Sequence, residues 1–126
     1  MPTPITVRIE TITLTGTLND SPAALALAKT LPLSCKLSRW GEEYYGAIPG
    51  GLGVKEDASA REVLEIGELA YWPPGSALCV FWGATPASQG DECRAASPVL
   101  PLGQVTGDWT AVSQLGGTVN VRVEAA

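Results

Sequence analysis

The chain of 126 residues contains no histidine, and this absence removes several kinds of chemistry. Pairs of serine or cysteine with histidine need the imidazole as a base, and HExxH zinc sites need it as a ligand. Any catalysis must therefore use carboxylates, arginine, tyrosine, cysteine or backbone groups. The three cysteines lie far apart, without a CxxC spacing. They predict neither a disulfide framework nor a metal site, and no cofactor is indicated.

The spacing and number of the cysteines also indicate the cellular compartment of the protein. Free thiols are typical of a reducing compartment, so we expect a cytoplasmic protein. Cys79 lies inside an apolar run and is expected to be a small core residue. Cys93 is the one candidate for an exposed thiol. Asp91 and Glu92 disfavour its thiolate form, whereas Arg94 favours it.

Basic residues are scarce as well, with 8 Lys and Arg against 13 Asp and Glu and a net charge of −5. They stand singly, so neither nucleic acid nor a membrane surface is expected as a partner. The N-terminal sequence lacks the basic start and apolar run of a secretory signal. Residues 69–90 carry no charge, but their prolines, glycines and polar residues argue against a membrane span.

The sequence does contain many short stretches of alternating apolar residues, which predict β-strands. Two of them, at 5–9 and 12–18, are separated by so few residues that a tight hairpin is expected. Further strands are predicted at 33–40, 44–48, 63–66, 69–72, 77–82 and 99–105, and a last one over 119–123. Residues 54–62 are expected to be irregular, and 83–98 to form the longest loop. The first and last strands share one alternation and are expected to pair.

Two short helices are predicted from their capping signals. Ser21 and Pro22 suit the start of a helix whose apolar face continues to Leu31, and Pro32 ends it. Asp108 caps a second helix over 109–115. Seven to nine short strands, two helices and no βαβ rhythm indicate a single all-β domain over residues 1–126, a barrel or a sandwich.

Several segments together resemble a known family: NDSP before the first helix, RWGEEYY at 39–45, GELAYWPPGSALCVFWGATP at 67–86 and RAASPV at 94–99. They are similar to small bacterial proteins of cyclophilin-like fold, a family without a characterised function. The resemblance implies a closed antiparallel β-barrel of about eight strands with a helix at each end. It also implies distant kinship with cyclophilins, which isomerise X–Pro peptide bonds.

The cyclophilin pattern carries over only in part. Phe81 and Trp82 stand where cyclophilins have a Phe-Phe pair, one member of which lines the proline pocket. Arg39 lies on a strand in the first half of the barrel, as the cyclophilin catalytic arginine does, but its neighbours do not match the motif. Cyclophilin pockets also use a histidine and a glutamine, and no glutamine here lies in a matching motif. The resemblance therefore names no catalytic residue and does not imply efficient isomerase activity.

Seven residues are candidates for a ligand-binding cleft in which aromatic rings bury a ligand and arginine fixes a polar group. They are Arg39, Trp40, Tyr45, Trp72, Phe81, Trp82 and Arg94.

Each candidate also has a purely structural interpretation. Arg39 can stack on Trp40 or pair with a neighbouring glutamate, and Arg94 can pair with an acid of its own loop. The Tyr45 hydroxyl can bind a backbone carbonyl, and Trp72 can fill the core beside a rigid Pro-Pro turn. Adjacent strand residues point to opposite faces, so of Phe81 and Trp82 one is expected in the core and the other outward or in the cleft. The adjacent acids at 42 and 43 are expected to be solvated.

Three functional hypotheses follow. The first is a binding module for a small molecule or a Pro-containing peptide. The second is a weak peptidyl-prolyl isomerase that uses the same cleft with Arg39 as the electrophile. The third is an accessory part of an amide-processing enzyme assembly, an analogy that rests on fold alone. The sequence leaves the oligomeric state open.

Overall fold

The computed structural model describes residues 2–126, which form nine β-strands and two short α-helices. The strands are β1 (Thr3–Ile9), β2 (Ile12–Leu18), β3 (Leu33–Arg39), β4 (Glu43–Ala47), β5 (Arg61–Leu64), β6 (Glu68–Trp72), β7 (Ala77–Phe81), β8 (Cys93–Thr106) and β9 (Thr118–Ala125). The helices are α1 (Pro22–Ala28) and α2 (Trp109–Ser113), and a single 3₁₀ turn spans Pro73–Gly75.

Eight of these strands ring round in the order β2, β1, β9, β3, β4, β7, β6, β8, and β8 returns to pair with β2. All the pairings are antiparallel. The ring is uneven, because β1 and β2 pair along their whole length whereas β3 and β4 share only two residue pairs. The expected pairing of the first and last strands is confirmed, with Val7 opposite Val123. The predicted all-β ring of about eight strands is therefore present.

The interior of the ring is filled by the apolar residues of the alternating patterns. On β1, for example, Ile5, Val7 and Ile9 are fully buried, and the threonine and arginine between them are not. This alternation is what a sheet with one face on a core requires. The main core therefore lies inside the ring, and α1 adds Ala24 and Leu27 to it.

Both predicted helix starts are confirmed by their caps, since the Ser21 hydroxyl accepts the Ala24 amide at 3.2 Å and Asp108 accepts the Ala111 amide at 3.0 Å. Both helices end earlier than predicted. In α1 the Thr30 hydroxyl donates to the Leu27 carbonyl at 2.7 Å, just beyond the last helical residue. Helix α2 ends at Ser113, two residues before its predicted end.

The predicted loop over 83–98 is too long, because β8 already begins at Cys93. The C-terminal half of β8 belongs to the ring. Its N-terminal half pairs with β5 and packs on the outer face of β6 and β7. This packing buries a second core, which consists of Leu64, Ala70, Cys79, Phe81, Cys93, Ala95 and Val99. As a result, every residue of β7 is buried, on both of its faces.

No helix within residues 2–126 combines the length and the apolar character that crossing a bilayer requires.

Candidate ligand-binding site

A cavity of about 270 Å³ opens on the outside of the ring, at the edge of the second core. Strand alternation determines what lines it. On β4 the side chain of Tyr44 points into the main core, so Glu43 and Tyr45 point outward. On β7 Cys79 lies on the same outer face, directly opposite Tyr45. The lining residues are Trp40, Glu43, Tyr45, Trp72, Cys79, Ala95, Ala96, Ser97 and Val99.

Three aromatic side chains form much of the cavity lining. Trp40 follows β3 in a turn closed by its amide, which donates to the Glu43 carbonyl at 2.8 Å. Gly41 holds that turn at a φ of +64°, where a Cβ would also come within 2.8 Å of the Thr85 backbone. Trp72 ends β6, and its indole N–H donates to the Ser97 hydroxyl at 2.6 Å. That hydrogen bond fixes the Trp72 ring against β8.

Glu43 is the one carboxyl group that lines the cavity, and it is 4% exposed. Its Oε1 atom is buried and has no hydrogen-bond partner within the described chain. Burial raises the pKa of Glu43 from its usual 4.5 to about 8, while a hydrogen bond from the Cys79 thiol partly opposes this shift. At neutral pH the group is therefore mostly a protonated acid.

Glu68 is a second buried acid and, unlike Glu43, it has both an ion pair and a backbone hydrogen bond. Both Glu43 and Glu68 lie opposite Phe81, on the two strands that flank β7. Glu68 forms an ion pair with Arg61 and accepts the Glu65 amide at 2.9 Å. Glu43 receives neither a cation nor a backbone amide from residues 2–126. Among the described residues the Trp82 indole nitrogen is also buried without a partner, but it lies away from the cavity, so Glu43 Oε1 is the unpartnered atom that lines the cavity.

The surroundings of the cavity are acidic. Cys93 is 3% exposed, so the expectation of an exposed thiol is wrong, whereas Cys79 is buried as predicted. Burial raises the pKa of Cys93 to about 11, and the carboxylates of Glu68, Glu43, Glu42 and Glu92 add to the rise. Three of these carboxylates, those of Glu42, Glu68 and Glu92, are paired with arginines, so the acidic character is partly neutralised.

Arg39 and Trp82 lie elsewhere, at one end of the ring. The Arg39 guanidinium donates to the carbonyls of Gly41, Ser113 and Leu115 at 2.6–3.2 Å and pairs with Glu42 at 3.3 Å. It therefore caps the C-terminal end of α2, which explains why that helix ends there. The guanidinium also lies 5.4 Å from the centre of the Trp82 ring. Neither residue lines the cavity.

Phe81 and Arg94 do not line the cavity either. Phe81 is fully buried in the second core, and Trp82 is buried in the main one. The two rings point to opposite faces, as expected, and Phe81 is the one on the outer face. It does not reach solvent or the cavity, because β8 and β5 cover that face of β7. Arg94 lies on β8 rather than in a loop, and it pairs with Glu92 at 2.9 Å and Glu62 at 3.5 Å.

The structure thus brings together Trp40, Tyr45 and Trp72, and it adds Glu43, which the sequence had suggested to be solvated. One signal for Glu43 was available: its strand neighbour Tyr44 is a large aromatic residue, and alternation places residues 43 and 45 on one face. The packing of β8 over that face was not predicted, so neither was the burial of Glu43.

Comparison with known proteins agrees with this architecture. The sequence model of the Cyclophilin-like family matches residues 3–124. The solution structure of a hypothetical protein from Archaeoglobus fulgidus is similar to this chain, with a TM-score of 0.80 and 28% sequence identity over 99% of this chain and 95% of that one. No curated protein matches the chain. The chain belongs to the Cyclophilin-like family.

Proposed function

We propose that this protein is a small-molecule binding module whose site is the outer cavity of Trp40, Tyr45, Trp72 and Glu43. The observation that carries the proposal is the unpartnered, buried oxygen of Glu43 in the lining of that cavity. Buried polar atoms almost always have a hydrogen-bond partner, because leaving one unsatisfied costs about 1–3 kcal/mol. A ligand group bonded to Glu43 removes that cost.

The size and lining of the cavity support a small ligand. Small-molecule sites are mostly apolar concavities with a few placed polar groups. Here the aromatic rings and the apolar residues of β8 provide the burial, and Glu43 provides the polar contact. The Trp72–Ser97 hydrogen bond holds one wall in place before a ligand arrives.

The geometry favours binding over the alternative of a peptidyl-prolyl isomerase. Such an enzyme lowers the imide barrier of about 18–20 kcal/mol by donating a hydrogen bond to the imide nitrogen. Arg39, the proposed electrophile, already donates to three backbone carbonyls and to Glu42, outside the cavity. In an assay with an X–Pro peptide we therefore expect no acceleration. An acceleration that Arg39→Ala abolishes would favour the isomerase instead.

The binding proposal is tested with a variant that fills the cavity. Ala96 is an exposed cavity residue on β8, and Ala125 is an exposed residue on β9 that does not line the cavity. A library of metabolites and Pro-containing peptides is screened by thermal shift against the wild type, Ala96→Phe and Ala125→Phe. We expect hits that Ala96→Phe loses and Ala125→Phe keeps. The absence of any such hit would contradict the proposal, and capture of a partner protein from extract would favour the accessory role.

A further inference from the structure

We propose that the ligand is an organic cation, an ammonium group on a small apolar body, with Glu43 as its counter-ion. This inference rests on the proposed function and names the ligand class of the same cavity.

The first argument is the missing charge partner of Glu43. The ion pairs within residues 2–126 give arginine partners to Glu42, Glu62, Glu68, Glu92 and Glu124. Glu43 is more deeply buried than Glu42, and its Oε1 atom has no hydrogen-bond partner within the described chain. A buried carboxylate is stable only when a cation or several hydrogen bonds compensate its lost hydration. An ammonium group in the cavity supplies the cation.

The second argument is the aromatic lining. A cation near the face of an aromatic ring is attracted by the ring quadrupole, most strongly for tryptophan, and sites for quaternary ammonium groups are built in this way. The cavity places two tryptophans and one tyrosine around a single carboxyl group. A metal ion is a poorer match, since no group of three or more His, Cys, Asp or Glu between residues 2 and 126 is placed to hold one.

The third argument is the charge around Glu43. Cys79 faces it from β7, Cys93 from β8, and Glu68 from β6 beyond Phe81, while Glu42 precedes it in the turn. The pKa values of both thiols are raised, and Arg39 and Arg61 are occupied by Glu42 and Glu68. Within the described chain none of these groups offers Glu43 a free cation, which leaves the proton or a bound cation as the group that neutralises it.

A cation that binds Glu43 competes with the proton, and this competition predicts how the affinity for the cation depends on pH. Because Glu43 holds a proton below a pKa of about 8, a permanently charged ligand must displace it. Its affinity should fall about tenfold for each pH unit below that value, or about 100-fold between pH 9 and pH 6. A neutral ligand of the same shape should show no such dependence.

The experiment uses choline, benzyltrimethylammonium and 3,3-dimethylbutan-1-ol, the uncharged isostere of choline. Binding is measured by calorimetry and tryptophan fluorescence at pH 6–9 for the wild type, Glu43→Gln and the control Glu42→Gln. We expect the cations to bind the wild type at least tenfold more tightly than the alcohol, with the pH dependence above. Glu43→Gln should lose at least tenfold in cation affinity, and Glu42→Gln should keep it. If Glu43→Gln does not fold, the pH profile of the wild type decides.

The two proposals fail in different ways. If the alcohol binds as tightly as choline, if Glu43→Gln binds the cations normally, or if neither cation binds at pH 9, the ligand is not an organic cation. In each of these cases the proposed function still stands when the Ala96→Phe screen finds other cavity ligands, and it falls when that screen finds none.

Discussion

Glu43 should make the stability of this protein decrease with rising pH between about 4.5 and about 8. The unfolded chain releases the Glu43 proton near pH 4.5, whereas the folded chain keeps it up to about pH 8. Over this interval the folded state binds more protons, so the free energy of unfolding falls as pH rises, and the contribution of Glu43 levels off above pH 8. At 1.36 kcal/mol per pKa unit, the total loss is about 3–5 kcal/mol.

Urea denaturation at pH 5, 6, 7, 8 and 9 measures this loss directly. Below pH 8 the window is unusually clear, because the chain has no histidine and the pKa of Glu92 is lowered to about 2. Near pH 9 the buried thiols, whose pKa values are also raised, lower the stability of the wild type and of each variant alike. We expect the wild type to lose stability across the series. Glu43→Gln should remain nearly level up to pH 8 and exceed the wild type at pH 8 and 9, because its amide is neutral at every pH in the series.

The control is Glu42→Gln, which neutralises the neighbouring acid in its ion pair with Arg39. Its stability should follow the wild-type slope with pH, offset by a constant amount. The reasoning is refuted if wild type and Glu43→Gln show parallel pH dependence. That result would mean that Glu43 is ionised in the folded protein throughout the series.

Two further predictions concern the cap of α2 and the reactivity of the thiols. Arg39→Ala should lower the free energy of unfolding by about 2–3 kcal/mol in urea, because it leaves the end of α2 without a cap and uncovers Trp82. Arg122→Ala, which breaks the exposed pair with Glu124, should cost less than about 1 kcal/mol, and equal losses would contradict the capping role. Cys79 and Cys93 should not react with a thiol reagent at pH 7.5 unless the protein unfolds, since burial raises the pKa of both thiols. Cys35→Ser, which removes the remaining, half-buried thiol, should abolish any native-state reaction, and rapid labelling of that variant would show that the second core opens.

Much of the ring was predictable from the sequence because it depends on local patterns. Alternation in 5–9 and 12–18 located β1 and β2, and the Ser21 and Asp108 caps located both helix starts. The ends of the helices were harder to predict. Helix α2 ends where the Arg39 guanidinium donates hydrogen bonds to the carbonyls of Ser113 and Leu115. Arg39 lies more than 70 positions away from these residues in the chain. No local signal contains that information.

The candidate site was predictable only in part, for a related reason. Grouping Arg39 with Trp40 in one cleft ignored the alternation that separates neighbouring strand residues. Trp40 lies at the outer cavity, whereas Arg39 caps α2. The outer face of β7 is buried only because the N-terminal half of β8 crosses it, and that long-range contact has no periodic signature.

The same long-range contact explains why Glu43 is buried and why its pKa is raised. Without β8 and β5, the outer face of β4 and β7 would be open to water, and an acid there would titrate normally. With them, the chain places one carboxyl group between an apolar cluster and an aromatic cavity, and it provides an arginine for Glu68 but none for Glu43. Such a group opposes folding at any pH at which it is charged. At neutral pH the proton removes that charge, and under our proposal an organic cation in the cavity takes the place of the proton.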